Sequence, residues 1–261
     1  MRLIQATLAL LLVHGLTLPG ARPVVAEEPV EIRLYAAASL RDVLRELEPA
    51  LERATGTSVA LNLGASSDLA RQIVAANKAD VYFSADEAWM DHVVAAGLVD
   101  EPSRRSPLSN RLVVVVPTDS GLEIRSAADL AAPAVRRLSL AHPETVPAGK
   151  YAKAWLESRG QWAAVAERVV PALDVRAALA AVESGAVEAG VVYGTDAAIS
   201  DRVRVAYAVP ERDGPKISYA IAALVDRPHL DVARAVAAWL AGPEAAPVFE
   251  RFGFVPRATT P

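Results

Sequence analysis

The sequence predicts an α/β protein of two domains, with helices covering parallel sheets. Strand-like and helix-like segments alternate through the chain after residue 26, and this alternation is typical of parallel sheets. The 261 residues suffice for one large domain or two ordinary ones. Because no Gly/Ser-rich linker divides the chain, we expect it to cross between two domains more than once, at Ser106–Leu112 and Pro210–Ile217.

The predicted strands are short β-rich or apolar runs. Leu112–Val116 is apolar throughout, which is typical of a strand buried on both faces. In chain order the predicted strands are Val30–Ala36, Val59–Leu63, Val81–Phe83, Leu112–Val116, Leu138–Ala141, Val169–Pro171, Gly190–Tyr193 and Ile217–Val225.

Helices are predicted where apolar residues recur three or four positions apart. The first such stripe is Leu40, Val43, Leu44, Leu47 and Leu51. The later helices are predicted from Leu69, Ile73 and Val74, and over Trp89–Ala96, Ala148–Ser158, Val175–Ser184, Asp196–Ser200 and Leu230–Leu240.

Composition excludes several classes of protein. The chain has no Cys, which excludes disulfide scaffolds, Cys-based zinc sites, thiol nucleophiles and an acylated-Cys lipid anchor. With 27 Lys and Arg against 31 Asp and Glu, the net charge is −4. An acidic chain argues against nucleic acid as a partner, and at first sight against any anionic ligand.

Residues 1–26 are predicted to be a cleaved signal peptide. Arg2 precedes an apolar run from Leu3 to Leu18, and small residues stand before Glu27. A membrane anchor is the alternative, but the run is shorter than the roughly 20 residues that span a bilayer. Cleavage removes two of the 27 basic residues and no acidic one, leaving 25 against 31 and a net charge of −6. We expect an unanchored periplasmic protein of a Gram-negative cell.

Motifs of common catalytic and nucleotide-binding sites are absent from the sequence. It contains no GxSxG, HExxH, Walker A or GxGxxG pattern. Outside the signal peptide, His92, His142 and His229 are not spaced as metal ligands. The sequence therefore predicts neither a metal centre, nor a cofactor, nor an enzyme.

Small residues and hydroxyls recur where predicted strands lead into helices. These turns are Ala37–Leu40, Gly64–Asp68, Val146–Gly149 and Pro171–Val175. A helix start presents unpaired N–H groups and the positive end of the helix dipole, and small residues let an anion approach the backbone. Each turn alone is an ordinary helix start. Together, beyond the carboxyl ends of strands, they could converge on one cleft.

Eight motifs follow one another along the chain. They are AAASL (36–40), ASSDLARQI (65–73), SADEAWMD (84–91), NRLVVVVP (110–117), HPETVPAGKYAKAWL (142–156), DVRAALAAVESG (174–185), VVYGTDA (191–197) and RFGF (251–254). In register, these motifs resemble the periplasmic molybdate-binding proteins of ABC transporters. The resemblance covers essentially all of Glu27–Val255.

The resemblance implies a two-lobed type II periplasmic-binding-protein fold with a central ligand cleft. We expect one lobe to comprise residues 27–108 and 217–261, and the other residues 109–216. The implied ligand is molybdate or tungstate, with molybdenum present only inside the oxyanion. The implied partner is the ABC permease, and the implied state is a monomer.

The family's binding residues carry over by motif. The resemblance implies hydroxyl and N–H donation by Ser39 and Ser66, backbone N–H donation by Ala148 and Val175, and phenol donation by Tyr193. The sequence does not say whether the charged residues beside these motifs, Asp68 and Lys150, face the cleft.

Three alternatives remain open on the sequence. The same fold could bind sulfate, phosphate or Fe(III), although iron calls for Tyr, His and carboxylates, and only Tyr193 lies in a candidate motif. A secreted hydrolase could use Ser39 or Ser66, but it would need a nearby His. The effector domain of a transcription regulator would need a basic helix-turn-helix, and the predicted signal peptide occupies that place.

Overall fold

The computed structural model describes residues 29–257. The predicted signal peptide, residues 1–26, lies outside the described residues. The described chain forms two sheets, one of six strands and one of five. The first sheet draws its strands from residues 30–109 and 219–256, and the second from residues 112–208. The chain therefore passes twice between the sheets.

The first sheet is mixed, with strand order β11-β4-β10-β3-β1-β2. Strand β1 is parallel to β2 and β3, whereas β10 runs antiparallel to β3 and β4. The strands are β1 (Val30–Ala37), β2 (Thr57–Gly64), β3 (Val81–Ser84), β4 (Arg105–Ser109), β10 (Tyr219–Ala223) and β11 (Val255–Pro256).

The second sheet is also mixed, with strand order β7-β6-β8-β5-β9. Strand β6 is parallel to β7 and β8, and β5 is antiparallel to β8 and β9. The strands are β5 (Leu112–Pro117), β6 (Leu138–Ala141), β7 (Val169–Ala172), β8 (Ala189–Tyr193) and β9 (Val203–Ala208).

The expectation of purely parallel sheets was wrong, because β5 and β10 each run against their neighbours. Both are buried apolar runs, and burial on two faces leaves the same pattern in either direction. Strands β4, β9 and β11 were missed. The first contains Pro107, the second carries Arg204 on a partly exposed edge, and the third has only two residues. The predicted crossing at Ser106–Leu112 is correspondingly shorter, since β4 extends to Ser109.

Helices flank the sheets and bury one apolar face each. In α1, Val43, Leu44, Leu47 and Leu51 are buried, and the helix ends at Gly56, whose φ of 67° suits the left-handed cap position. No helix in residues 29–257 is long and apolar enough to cross a membrane. The helices are α1 (Arg41–Thr55), α2 (Ser66–Ala76), α3 (Glu87–Ala95), α4 (Pro147–Ser158), α5 (Trp162–Val165), α6 (Val175–Glu183), α7 (Gly194–Ala198), α8 (Leu230–Leu240) and α9 (Ala246–Arg251).

Candidate functional site

A cavity lies between the two sheets, where strands from both of them end. Its walls include the turns that follow β1 and β2 in the first sheet and β6, β7 and β8 in the second. The empty space within it and its opening to solvent together amount to about 210 Å³. The five residues expected to bind a ligand all line it, namely Ser39, Ser66, Ala148, Val175 and Tyr193.

Four helical segments begin at this cavity. They are α2, α4, α6 and the 3-10 turn Ala38–Leu40 that leads into α1. The first N–H groups of a helix have no partner inside the helix and carry partial positive charge. The four predicted residues at these starts are at most 4% exposed. The cavity therefore concentrates backbone donors in a place with little competing water.

The Ser66 hydroxyl is fixed as a donor by its surroundings. Its Oγ accepts a hydrogen bond of 2.9 Å from the N–H of Ala85. A backbone N–H can only donate, so the hydroxyl keeps its own proton for another acceptor. The Tyr82 hydroxyl holds the same turn by donating to the Ser66 carbonyl over 2.8 Å.

Ser39 occupies the equivalent position after β1. Its Oγ lies 3.0 Å from Oη of Tyr219, a fully buried residue at the start of β10. Burial raises the pKa of the Tyr219 phenol well above its ordinary value. The pair therefore consists of two neutral hydroxyls.

The start of α4 presents backbone rather than side chains. Val146 precedes the helix, and Pro147, at its first position, has no N–H to leave unpaired. Ala148 is 1% exposed and lines the cavity. A Cβ on Gly149 would lie 2.6 Å from the carbonyl oxygen of His142 and would also clash with the carbonyl of Ala141. Glycine thus lets this helix start lie directly against the end of β6.

The start of α6 is capped by its own acid. The Asp174 carboxylate accepts a hydrogen bond of 2.9 Å from the N–H of Ala177. This is an ordinary N-cap, and it leaves the N–H of Val175, which lines the cavity, without a partner inside the helix.

Tyr193 completes the cavity wall at the end of β8. The residue is 1% exposed, and no group in the described part of the chain forms a hydrogen bond with its hydroxyl. Desolvation by burial raises the pKa of this phenol well above its ordinary value, so it stays protonated. A buried hydroxyl without a partner is costly. An oxyanion in the cavity would supply the missing acceptor.

Neither of the charged residues left open by the sequence lines the cavity. Asp68 is half exposed and pairs with Arg71 one turn further along α2. The Lys150 ammonium lies 3.1 Å from a carboxylate oxygen of Asp86 in the other lobe. The cavity is therefore lined by neutral donors and the capped carboxylate of Asp174.

An arginine that the sequence analysis did not single out joins the two lobes beside the site. Arg176, in α6, is 11% exposed and places Nη2 at 2.6 Å from Asp42 in α1 and Nε at 2.8 Å from Asp196 in α7. Both contacts are ion pairs without hydrogen-bond alignment. Desolvation, opposed by Arg176, raises the pKa of the fully buried Asp196 to about 7.

Sequence reasoning also missed Asn110 and Tyr219. Tyr219 forms a hydrogen bond with Ser39, and Asn110 donates a hydrogen bond to Tyr219. Asn110 opens a motif that was quoted for its resemblance alone, and Tyr219 was left without a place. Both lie far from Ser39 in sequence, and no local pattern links them. In residues 29–257, no group of three or more His, Cys, Asp or Glu residues could hold a metal ion.

A two-lobed α/β fold with a donor-lined cleft is typical of solute-binding proteins. A family model described as bacterial extracellular solute-binding protein matches residues 32–255. The molybdate-binding protein ModA of Escherichia coli is 38% identical over 228 residues, covering 86% of this chain and 88% of that protein. The chain therefore belongs to the bacterial extracellular solute-binding proteins, in the family of the molybdate-binding protein ModA, and the resemblance inferred from its motifs is confirmed.

A further relative and two solved structures are also similar to this chain. A Bacillus subtilis protein with the name "Putative ABC transporter substrate-binding lipoprotein YvgL" is 33% identical, covering 96% of both chains. The periplasmic molybdate-binding protein of Azotobacter vinelandii superposes with a TM-score of 0.77 at 23% identity, covering 86% of this chain and 98% of that one. The sulfate-binding protein SubI of Mycobacterium tuberculosis also gives 0.77, at 22% identity and 88% coverage of both chains. At these identities the superpositions support the fold, and they confirm the expected two-lobed architecture.

Proposed function

We propose that this protein captures molybdate, or the nearly isosteric tungstate, and delivers it to the permease of an ABC transporter. One observation carries the proposal. The five predicted donors, which are spread over more than 150 positions of the sequence, line a single buried cavity. The names of the ModA relatives support molybdate as the ligand.

The donors suit a fully deprotonated dianion. They comprise two serine hydroxyls, one tyrosine hydroxyl and the N–H groups of helix starts. Hydrogen bonds to a charged group contribute roughly 1.5–3 kcal/mol each. About six or seven supply on the order of 10–15 kcal/mol before the costs of lobe closure and lost freedom, which leaves nanomolar to micromolar affinity.

Selectivity follows from the same donors. Phosphate near neutral pH carries a proton, and hydroxyls that are held as donors offer that proton no acceptor. Sulfate has the right charge and shape, but it is smaller and makes looser contacts. Asp68 does not line the cavity, and the carboxylate that does, that of Asp174, already accepts a hydrogen bond from the N–H of Ala177.

Calorimetric competition among molybdate, tungstate, sulfate and phosphate tests the proposal. We expect micromolar or tighter binding of molybdate and tungstate, with sulfate and phosphate at least about 100-fold weaker, or roughly 2.7 kcal/mol. Equal affinity for sulfate would overturn the assignment.

The two serines offer a direct test of the site. We expect Ser39→Ala and Ser66→Ala each to weaken molybdate binding by about 1–3 kcal/mol, because each removes one hydrogen bond to a charged ligand. Ser67→Ala is the matched control. Ser67 is equally buried, its hydroxyl forms no hydrogen bond within the described residues, and it does not line the cavity. Unchanged titrations of both site variants would remove these serines from the site.

The strand composition of the sheets supports the proposed lobes, residues 27–108 with 217–261 and residues 109–216. Contacts between the lobes support a closed arrangement. The Trp89 indole N–H donates to the carbonyl of Thr145 over 2.7 Å, and Lys150 pairs with Asp86. We infer a hinge motion that closes the lobes around the ligand.

The location proposed for the mature protein is the periplasm, after cleavage behind Ala26. The family model is described as extracellular, and the name of one relative describes a lipoprotein. The absence of Cys from all 261 residues supports an unanchored form here.

A further inference from the structure

We propose that Asn110 and Tyr219 are positioning residues that orient the Ser39 hydroxyl as a donor toward the bound oxyanion and so help the site reject protonated anions. This inference rests on the proposed function. It deepens it by assigning one element of selectivity to two residues that do not line the cavity.

The chain of hydrogen bonds starts at the backbone. The Arg111 N–H donates to Oδ1 of Asn110 over 2.8 Å. Because that N–H can only donate, the Asn110 oxygen must face it, and the amide nitrogen points the other way. The nitrogen lies 2.9 Å from Oγ1 of Thr195 and 3.3 Å from Oη of Tyr219.

The direction then passes to the tyrosine. An amide nitrogen offers only hydrogens, so Oη of Tyr219 accepts from Asn110. Its single proton is left for Oγ of Ser39, 3.0 Å away, which is its other hydrogen-bond partner among residues 29–257. Since Tyr219 is fully buried, water does not compete for that proton.

The serine completes the chain. Once Oγ of Ser39 accepts from Tyr219, its own proton needs an acceptor, and an anion in the cavity is the group that can provide one. A protonated oxygen of the anion at this position would bring two hydrogens together. Reversing the chain would leave the Tyr219 proton buried without an acceptor, which is costly.

Sulfate and hydrogen phosphate separate this role from a merely structural one. At pH 8 both are mainly dianions of similar size, but only phosphate carries a proton. A loosened cavity weakens the binding of both ions, whereas a freed Ser39 hydroxyl strengthens the binding of phosphate relative to that of sulfate. The readout is therefore the ratio of their dissociation constants, measured by displacement of molybdate.

Tyr219→Phe removes the proton that holds Ser39. A water molecule in the vacated space could accept from both Asn110 and Ser39, which frees Ser39 to accept from the anion. We expect molybdate to bind about 3–10-fold more weakly, in line with one altered hydrogen bond. The ratio of the phosphate dissociation constant to the sulfate dissociation constant should fall at least about fivefold. Tyr207→Phe is the control, because that tyrosine stacks on Trp155 and does not line the cavity.

Asn110→Asp reverses the chain with an isosteric side chain. A carboxylate accepts from Tyr219, so Tyr219 accepts from Ser39 and the serine presents only lone pairs to the cavity. We expect molybdate binding to weaken at least about tenfold. The ratio of the phosphate dissociation constant to the sulfate dissociation constant should again fall. The added negative charge by itself weakens the binding of sulfate and phosphate equally. A change in the ratio of their dissociation constants therefore reports the reversed hydrogen bonds.

The outcomes are distinct. A wild-type protein that binds no oxyanion overturns the proposed function and this inference with it. A second outcome overturns this inference alone. In that case the wild-type protein has the expected selectivity, but the ratio of the phosphate and sulfate dissociation constants stays within twofold of the wild-type ratio in both folded variants. Narrowed ratios in Tyr219→Phe and Asn110→Asp, but not in Tyr207→Phe, support it. Thermal unfolding establishes that each variant is folded.

Discussion

Gly149→Ala is expected to destabilise the protein by about 3 kcal/mol and to weaken molybdate binding by about 10–150-fold. The added methyl group would meet the carbonyl of Ala141 and lie 2.6 Å from the carbonyl oxygen of His142. Both obstacles are backbone atoms, so no side-chain rotation relieves the clash. Overpacking of this kind costs about 1–3 kcal/mol and more where nothing yields.

The effect on binding follows from where this backbone lies. Gly149 is the third residue of α4, next to Ala148, whose N–H is proposed to contact the ligand. The clash moves the helix start away from the end of β6, and the N–H moves with it. Loss of one hydrogen bond to a dianion costs roughly 1.5–3 kcal/mol, the source of the expected change in affinity.

Urea unfolding and calorimetry of the same preparation measure both effects. Gly194→Ala is the control, since Gly194 also starts a helix after a strand, but its Cβ would meet Arg111 and Val113 only at 3.8 Å. Wild-type stability and affinity in Gly149→Ala would show that the start of α4 can shift without consequence for the site.

Arg176→Met is expected to lower the free energy of unfolding by about 3–5 kcal/mol at pH 9. The substitution leaves Asp196, which is 0% exposed, as a buried charge whose cation is gone. Removing one partner of a buried pair typically has a cost of this size. Asp42 and the carbonyl of Ser39 lose their contacts with the guanidinium as well.

The deficit should shrink as the pH falls. Burial raises the pKa of Asp196 in the folded protein from 3.8 to about 7, and loss of Arg176 raises it further, because the arginine opposes that shift. With a folded pKa above the unfolded one, the contribution of this group to stability is present at low pH and lost as pH rises through the folded pKa. At pH 6, below the folded pKa in both proteins, the carboxyl is mainly protonated, so the loss of packing accounts for most of the remaining deficit.

Unfolding by urea at pH 6 and pH 9 tests this prediction. Adding Asp196→Asn to Arg176→Met removes the unpaired charge, and the double variant should regain much of the loss at pH 9. Arg71→Met is the comparison for an exposed pair, since Arg71 and Asp68 are both half exposed, and it should cost less than about 1 kcal/mol. An equal deficit at both pH values would show that Asp196 does not carry the effect.

The helix starts of the site were predictable because their signals are local. Small residues and hydroxyls between a strand and a helix fall within a few positions, as in Gly64–Asp68, and parallel strands carry such turns to the same edge of a sheet. The resemblance then indicated one residue at each start, and these residues line the cavity. Tyr193 was found through its motif, not through chemistry visible in the sequence.

The supporting groups could not be predicted in the same way. Ser39 and Tyr219 are 180 positions apart, and Arg176 reaches the Ser39 carbonyl across 137. No local pattern in a single chain couples positions that lie so far apart. The direction of the strands could not be predicted for a related reason. The apolar run Leu112–Val116 indicates burial, but it does not indicate whether the neighbouring strands are parallel or antiparallel.

The order of strands in the first sheet has a consequence for biogenesis. Strand β10 lies between β3 and β4, although it is made more than a hundred residues after them. The second sheet, by contrast, comes from the single stretch 112–208. Because the chain is made from its amino terminus, all strands of the second lobe are complete once residue 208 has been made. The first lobe lacks β10 and β11 until residues 219–256 have been made. Ser39 therefore cannot gain its tyrosine partner until residue 219 has been made, and the pairing of β10 with β3 and β4 is a non-local contact of the kind that forms slowly.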